Sequence, residues 1–199
     1  MAKKIITISR EFGSGGRFIG EEVAKKLGIS YYDKNIISRI AEKSGLSPEY
    51  IQESAELSPK KGLLAYALAG RDITGKSVED MVYEAQRKVI LELADREPCV
   101  IIGRNADYIL KDRDDCLKIY IYAPFDVRTK HIAEKYDMSM FSAKRLVRQM
   151  DEKRDTYYKY VTGNRRGEHD GKDAMFDSSI MGVDGTVDML LEMINKKFG

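Results

Sequence analysis

The sequence contains few of the residues on which several common classes of site depend. It has two histidines, His131 and His169, and two cysteines, Cys99 and Cys116. Neither cysteine belongs to a Cys-x-x-Cys or Cys/His cluster, so the sequence does not favour a zinc site of the usual kind. With two histidines in the chain, a Ser-His-Asp hydrolase site is also not favoured. Because each cysteine lies in or beside an apolar strand-like run, we expect two buried thiols in a reducing, cytoplasmic compartment.

Long apolar runs and an excess of charge of one sign are also missing. The longest apolar stretches, at residues 99–103 and 119–123, are far shorter than the ~20 residues that span a bilayer. The 34 basic and 32 acidic side chains leave a net charge of +2, which does not favour a nucleic-acid or lipid partner. We therefore expect no membrane, no nucleic-acid partner and, since residues 1–4 lead directly into a strand-like run, no export signal.

What the sequence does contain is an alternation of strand-like and helical patterns. Short β-branched or continuous apolar runs predict strands at residues 4–9, 29–32, 99–103, 117–123 and 174–177. Apolar residues at helical spacing predict helices at residues 19–27, 35–43, 77–96, 126–136, 139–160 and 187–198. This alternation predicts one α/β domain over residues 1–199, with a parallel sheet of about five strands covered by helices on both faces.

Two segments interrupt the alternation. Residues 46–75 contain two Ser-Pro pairs that are typical of helix starts, and we interpret them as a helical insertion. Residues 148–172 are dense in charge and lose their apolar periodicity after Val161. We interpret this second stretch as a mobile lid and call it the lid segment.

A glycine-rich segment connects the first strand to the first helix. We call residues 10–17 the glycine loop, and its central part contains Gly13, Ser14, Gly15 and Gly16. Backbone N–H groups at such a junction, together with the positive end of the helix, bind phosphate. The sequence therefore predicts a cradle for the phosphates of ATP; the alternative is a tight turn without a ligand.

The glycine loop departs from the common phosphate-loop pattern GxxxxGK followed by Ser or Thr. Arg17 stands where the lysine is expected, and Phe18 or Ile19 stands where a magnesium-binding hydroxyl is expected. An arginine can still neutralise a phosphoryl group through two of its nitrogens. Magnesium would then have to be held by water, by the nucleotide, or by Ser9 or Ser14.

Two motifs, SREFGSGGR at residues 9–17 and YYDK at residues 31–34, resemble the cytidylate kinase-like family of phosphate-loop nucleoside monophosphate kinases. The likeness extends over nearly the whole chain. It implies a three-layer phosphate-loop NTPase fold, ATP as phosphoryl donor, Mg²⁺ without an evident protein ligand, and small-molecule nucleotide substrates. It also makes residues 46–75 the acceptor-binding insertion and residues 148–172 the lid.

The resemblance implies an acceptor site after the second strand. In the family an Asp closes that strand and an Arg six residues later holds the acceptor's monophosphate; Asp33 and Arg39 keep this spacing. Six residues are about one and two-thirds helical turns, so Arg39 can lie on the cleft side of its helix rather than opposite it. The alternative for Arg39 is a solvated arginine on a helix surface.

A second part of the acceptor site is implied at the end of the central strand. The sequence Ile102-Gly103-Arg104 is similar to the family's Asp-Gly-Arg, which makes Arg104 a contact of the acceptor phosphate or of the transferring group. Because an isoleucine replaces the family's Asp, Asn105 or Asp107 would supply the missing polar contact. The alternative for Arg104 is a structural ion pair or a helix cap.

In the lid segment, the resemblance implies arginines that close over the donor phosphates, and Arg148 and Arg154 are the first choices. With Arg17 and Arg104 they form the predicted catalytic set. The alternative is a solvated charged helix. Other cations of the segment could instead form an RNA-binding patch, which the small net charge does not favour: Lys153, Lys159, Arg165 and Arg166.

The sequence is compatible with three functional hypotheses. The leading one is a cytoplasmic phosphotransferase that moves the terminal phosphoryl of ATP to CMP or a related nucleoside monophosphate, a reaction that requires position and charge rather than a general base. The second is a nucleotide-binding module without turnover. The third is a kinase for a small-molecule alcohol, with Asp33 or Asp107 as base. The oligomeric state is left open, a homodimer included.

Overall fold

Five parallel strands form the sheet at the centre of the computed structural model, which describes residues 4–33, 35–44 and 78–199. The strands are β1 (Ile5–Arg10), β2 (Ser30–Tyr32), β3 (Cys99–Ile102), β4 (Cys116–Tyr122) and β5 (Ala174–Asp177). Their order across the sheet is β2-β3-β1-β4-β5, and each neighbouring pair is parallel. The predicted strands and the predicted α/β fold class are confirmed.

Helices connect the strands. Their bounds are α1 (Gly16–Leu27), α2 (Asn35–Ser44), α3 (Val78–Arg96), α4 (Ala106–Ile109), α5 (Phe125–Tyr136), α6 (Met140–Thr162) and α7 (Ser178–Phe198). The last helix, predicted to begin at residue 187, begins at Ser178. The predicted start is too late because Gly182 (φ 67°, ψ −172°) kinks α7 and interrupts its apolar periodicity. The insertion predicted at residues 46–75 lies outside the described residues. Within the described ranges, no helix has the length and apolar character needed to cross a membrane.

The core lies on both faces of the sheet because successive residues of a strand point to opposite sides. On one face, Ile5 of β1 packs with residues of α2 and α3. On the other face, Ile6 and Ile8 pack with residues of α1 and α7. All three isoleucines are fully buried, and burial of each stabilises the fold by about 1.5–3 kcal/mol. The molecule therefore has the three layers that the resemblance implied.

The expected burial of both cysteines is confirmed. Cys99 and Cys116 are free, fully buried thiols that lie on either side of Ile5 in the sheet. Burial raises the pKa of each thiol to about 12, so both are neutral over the physiological range. They contribute packing rather than reactivity.

Close packing of α1 against the sheet sets the position of the glycine loop. A Cβ atom at Gly20 would lie 2.4 Å from Cδ1 of Ile102 and 3.1 Å from Cδ1 of Ile8. The missing side chain lets α1 lie directly over β1 and β3. Since Ile8 pairs with Ile102, and Arg10 with Ile121, these strands end at one edge of the sheet, where parallel sheets bind their ligands.

Candidate functional site

The glycine loop has a shape that depends on its glycines. Gly13 (φ 87°) and Gly15 (φ 79°) both have left-handed backbone conformations, and Gly15 is the residue before the first turn of α1. A Cβ atom at Gly13 would lie 2.8 Å from the carbonyl oxygen of Arg128, so no side chain fits there. Because the first N–H groups of a helix have no acceptor within the helix, the loop and the start of α1 are suited to an anion.

Ser14 anchors this loop to the sheet. Its hydroxyl lies 3.0 Å from the carbonyl oxygen of Glu11 and 3.2 Å from that of Ile121. The hydroxyl of Ser178, at the start of α7, donates to the carbonyl of Ser14 over 2.6 Å. Of the two serines that the sequence suggested for magnesium, Ser14 is therefore engaged in the loop itself, whereas Ser9 lines the cavity described next.

Four arginines surround a small cavity at the carboxyl edge of β1 and β3, which we call the arginine cavity. It measures about 60 Å³ and is lined by Ser9, Arg10, Gly103, Arg104, Asn105, Arg154, Tyr157, Tyr158 and Arg166. Burial lowers the pKa of Arg10, and the charges of Arg154, Arg104 and Arg166 lower it further. Guanidinium groups remain protonated at neutral pH, so the cavity concentrates positive charge in a poorly solvated space. Phosphate groups are the ligands that such a site prefers.

The backbone that follows β3 is strained where it borders the arginine cavity. Gly103 (φ 64°), Arg104 (φ 56°) and Asn105 (φ 52°) are three consecutive left-handed residues. The side-chain amide of Gln86 donates to the carbonyl of Arg104 over 2.8 Å and supports this turn. Nδ2 of Asn105 is buried and has no hydrogen-bond partner among the described residues. Strain and an unpaired buried donor in a cavity lining are both typical of a ligand site.

Asp33, directly after β2, is nearly buried and faces two arginines. Its Oδ2 lies 2.8 Å from Nε of Arg17, and its Oδ1 lies 4.0 Å from Nη2 of Arg10. A contact of Arg17 with the donor phosphates stays a prediction; in the structure this half-exposed side chain is bound to Asp33. Arg39 lies over the ring of Tyr32, 5.6 Å from its centre, and does not line the arginine cavity.

Asp107 takes part in a buried ion pair rather than in the cavity lining. Its Oδ2 lies 2.6 Å from Nζ of Lys172, and both side chains are at most 1% exposed. Lys172 also donates to the hydroxyl of Tyr158 over 3.1 Å. The pair ties α4 to the stretch after α6. Sequence reasoning did not single out Lys172, because its segment has no periodicity that would indicate burial.

Asp151 on α6 connects the lid segment to the glycine loop. It accepts hydrogen bonds from the backbone N–H of Phe12 (2.9 Å), from Arg128 (2.5 Å) and from Arg166 (3.3 Å). Arg128 also lies 3.0 Å from Glu11, whose pKa is raised by burial. One carboxylate thus joins three separate parts of the chain around the loop.

The two predicted lid arginines lie in different places. The guanidinium of Arg154 lies 5.4 Å from the ring centre of Phe12, and its Nη1 lies 3.5 Å from the carbonyl oxygen of Arg10. Arg148 instead lies 5.1 Å from the ring centre of Phe125 and lines a second, open groove of about 1070 Å³. Only Arg154 borders the arginine cavity.

The structure therefore brings together part of the predicted site. Arg104, Asn105 and Arg154 line the arginine cavity, whereas Arg39 and Arg148 do not. Sequence reasoning missed two cations of the lining. Arg10, the first residue of the glycine loop at the end of β1, was given no role, and Arg166, which is buried, was considered only as part of the alternative RNA-binding patch. An arginine directly after a β-branched run was the available signal for Arg10.

Comparison with protein families and curated sequences gives a consistent result. The model described as "Cytidylate kinase-like family" matches residues 5–180. A protein named cytidylate kinase from Pyrococcus horikoshii is 30% identical over 142 residues, which are 71% of this chain and 62% of the relative. A second, from Archaeoglobus fulgidus, is 25% identical over 196 residues, 96% of this chain and 95% of the relative. The match to the first relative therefore spans less than two thirds of that protein's length.

Solved structures share the fold. An uncharacterized protein from Eubacterium ventriosum matches with a TM-score of 0.72 and 22% identity over 97% of this chain and 99% of that one. A gluconokinase from Sinorhizobium meliloti matches with a TM-score of 0.59 and 14% identity over 98% of this chain and 93% of that one. At these identities the likeness concerns the architecture alone, an α/β fold of the phosphate-loop NTPase type.

Proposed function

The chain belongs to the cytidylate kinase-like family, and on that premise we propose that it transfers the terminal phosphoryl group of ATP to a small acceptor, most simply CMP or another nucleoside monophosphate. The observation that carries this proposal is the arginine cavity beside the glycine loop. Two nucleotide phosphate groups that must approach each other carry several negative charges. A cluster of guanidinium groups offsets that repulsion.

In this proposal the two ends of the site have separate roles. The backbone of Gly13, Ser14, Gly15 and Gly16 and the start of α1 hold the donor phosphates. Arg104 and Asn105 contact the acceptor phosphate from the strained turn after β3, where the unpaired amide of Asn105 is available. Asp33, held by Arg17, borders the acceptor side, with Arg39 farther along α2.

Catalysis would come from position and charge. The acceptor's phosphate oxygen is already an anion, so it attacks without a general base, and the bond between the terminal phosphorus and the leaving oxygen of ADP breaks in line. Arg154, which lines the cavity, is placed to offset charge on the transferred group. Arg148 would need to move from Phe125 to take part.

Magnesium would enter with ATP rather than occupy a dedicated protein site. No group of three or more His, Cys, Asp or Glu side chains that could hold a metal is found in residues 4–33, 35–44 and 78–199. Among the described residues that line the arginine cavity there is no carboxylate, and the hydroxyl of Ser9 is available as an oxygen ligand. Phosphate oxygens and water are the ligands that magnesium usually retains in such sites.

The first experiment is ADP release from ATP and magnesium, supplied in turn with CMP, dCMP, UMP, AMP and no acceptor. We expect turnover that depends on one of these acceptors and falls about 100-fold or more in Arg104→Ala. Arg145→Ala, an exposed arginine of α6, is the matched control and should keep full activity.

Two outcomes would overturn the proposal and separate its alternatives. Absence of turnover with every acceptor, with ATP binding intact by calorimetry, favours a binding module. Turnover with a small-molecule alcohol, at a rate whose pH dependence follows the titration of one carboxylate, favours a kinase for an alcohol acceptor.

A further inference from the structure

The structure fixes the register of the glycine loop against the common phosphate-loop pattern. Gly15 precedes the first helical turn and Gly16 is the first residue of α1. In the pattern GxxxxGK the lysine directly follows the last glycine, at the start of the helix. Counted from Gly15, the lysine position is Gly16 rather than Arg17, and the first glycine of the pattern is Arg10. The chain thus has an arginine where the pattern has glycine and a glycine where it has lysine.

These two positions compete for one space. A Cβ atom at Gly16 would lie 2.7 Å from Cβ and 3.3 Å from Cγ of Arg10, and 3.1 Å from Cβ of Ile121. The stem of Arg10 therefore fills the space in which a side chain at position 16 would begin. No residue other than glycine fits at position 16 while Arg10 is present.

The guanidinium group of Arg10 lies at the arginine cavity. Its Nη1 lies 1.9 Å from the place that a Cβ atom would take at Gly103, so the guanidinium rests directly on the backbone after β3. In the part of the chain that the structure describes, the carboxylate paired with this guanidinium is that of Asp33, whose Oδ1 lies 4.0 Å from Nη2, too far for a strong hydrogen bond. A largely buried cation with so distant a counter-charge is costly unless a ligand supplies an anion.

We propose that Arg10 does the work of the phosphate-loop lysine, entering the site from the end of β1 instead of from the start of α1. This inference rests on the proposed function. In the transfer step the bond from the terminal phosphorus to ADP breaks and a bond to the acceptor oxygen forms. Arg10 keeps all its protons and offsets charge on the phosphoryl oxygens throughout. The guanidinium group can donate hydrogen bonds to two phosphate oxygens at once, whereas the ammonium group of a lysine acts as a point charge.

The test exchanges the two side chains. Arg10→Gly removes the cation, Gly16→Lys adds a lysine against the stem of Arg10, and the double variant restores the common pattern GxxxxGK with unchanged net charge. We expect Arg10→Gly to bind ATP at least about tenfold more weakly and to transfer phosphoryl about 100-fold more slowly. Gly16→Lys alone should also lose activity, because of the clash. The double variant should recover at least about tenfold in both measurements relative to Arg10→Gly.

Further variants keep the test decisive. Arg10→Met retains a side chain over Gly16 without the charge and should lose as much activity as Arg10→Gly, while its circular dichroism and thermal midpoint report on folding. Glu22→Lys in the Arg10→Gly background adds a cation elsewhere on α1 and should give no recovery. Wild-type turnover in Arg10→Met, or a double variant no better than Arg10→Gly, would overturn the inference. If the wild type has no turnover with any acceptor, the proposed function fails, and ATP affinity still decides the role of Arg10.

Discussion

At the scale of single residues, Arg148 and Arg154 show how one helix presents two arginines to different surroundings. The two lie six positions apart on α6, and at about 100° per residue their side chains leave the helix in different directions. Arg154 contacts the glycine loop through Phe12, whereas Arg148 packs over Phe125. A cation that stabilises the transferred phosphoryl has to reach the arginine cavity, so the two arginines should differ in importance.

We expect Arg154→Ala to lower kcat about 100-fold and Arg148→Ala to lower it by less than about tenfold. Steady-state phosphoryl transfer, with the acceptor that supports turnover in the first experiment, measures both values of kcat. Arg145→Ala, at an exposed position of the same helix, controls for loss of helix charge. A larger loss for Arg148→Ala than for Arg154→Ala would contradict the assignment.

The sequence predicted some site residues better than others for a physical reason. Arg104 could be predicted because it follows a central strand, and parallel sheets bind their ligands at the carboxyl ends of such strands. Arg10 was missed because the common pattern was aligned on Gly16, and only the observed helix start shows that Gly15 is the last loop glycine. The burial of Arg166 could not be predicted, since it depends on contacts with Asp151 and Asp155 on α6.

At the scale of elements, one carboxylate supports the short edge strand β2 in addition to its backbone pairing with β3. Glu97, which follows α3, accepts hydrogen bonds from Ser30 (2.6 Å), Tyr32 (2.7 Å) and Arg96 (2.8 Å). These bonds, that of Ser30 first, lower the pKa of Glu97 from 4.5 to about 2. The side chain joins the edge of the sheet to the end of the helix that covers it.

The lowered pKa sets the pH range in which Glu97 stabilises the fold. Its contribution is complete above the unfolded value of 4.5 and is lost as the pH falls towards about 2. We expect Glu97→Gln to lower the thermal midpoint by a few degrees near pH 7 and to have little effect near pH 2. Glu168→Gln, at an exposed position, is the control. An equal loss at both pH values would show that the negative charge is not what stabilises β2.

The regular elements were predictable because their signals are local. Each strand is a β-branched or apolar run, and each packed helix has an apolar stripe. The start of α7 was placed too late because Gly182 interrupts the stripe, whereas the helix predicted at residues 139–160 agrees with α6. That residues 148–172 act as a mobile lid stays a prediction. Roles of the helical insertion at residues 46–75 stay predictions.

At the scale of the whole molecule, the arginine cavity opposes folding and favours binding. Arg10 is destabilised as a cation by burial and by its neighbours Arg154, Arg104 and Arg166. A polyanion removes this repulsion in the folded state and finds no such site in the unfolded chain. Ligand binding should therefore be strongly coupled to stability.

We expect ATP at about 100 times its Kd to stabilise the protein by about 2.7 kcal/mol, which corresponds to a rise of roughly 5–10 °C in the thermal midpoint. The double variant Arg104→Ala/Arg154→Ala should have a midpoint no lower than the wild type without ligand and should lose most of the rise. Differential scanning calorimetry with and without ATP gives both values. A rise of the same size in the variant would show that ATP binds elsewhere.

The fold as a whole could be predicted because alternating strands and helices allow few arrangements, and the resemblance of the glycine loop selected one of them. The substrate could not be predicted in the same way. It depends on which of several arginines converge, and that convergence is set by tertiary contacts such as those of Asp151 rather than by spacing along the chain.

The mutual exclusion of side chains at positions 10 and 16 also has an evolutionary consequence. From a loop with the common pattern, an arginine gained at position 10 would collide with the lysine, and a lysine lost first would leave the loop without its cation. If Arg10 takes the place of the lysine, either single substitution would pass through a less active intermediate, so the exchange would require paired changes and would then be hard to reverse. Lineages that carry it should form a coherent branch, and pattern searches for phosphate loops would pass over that branch entirely.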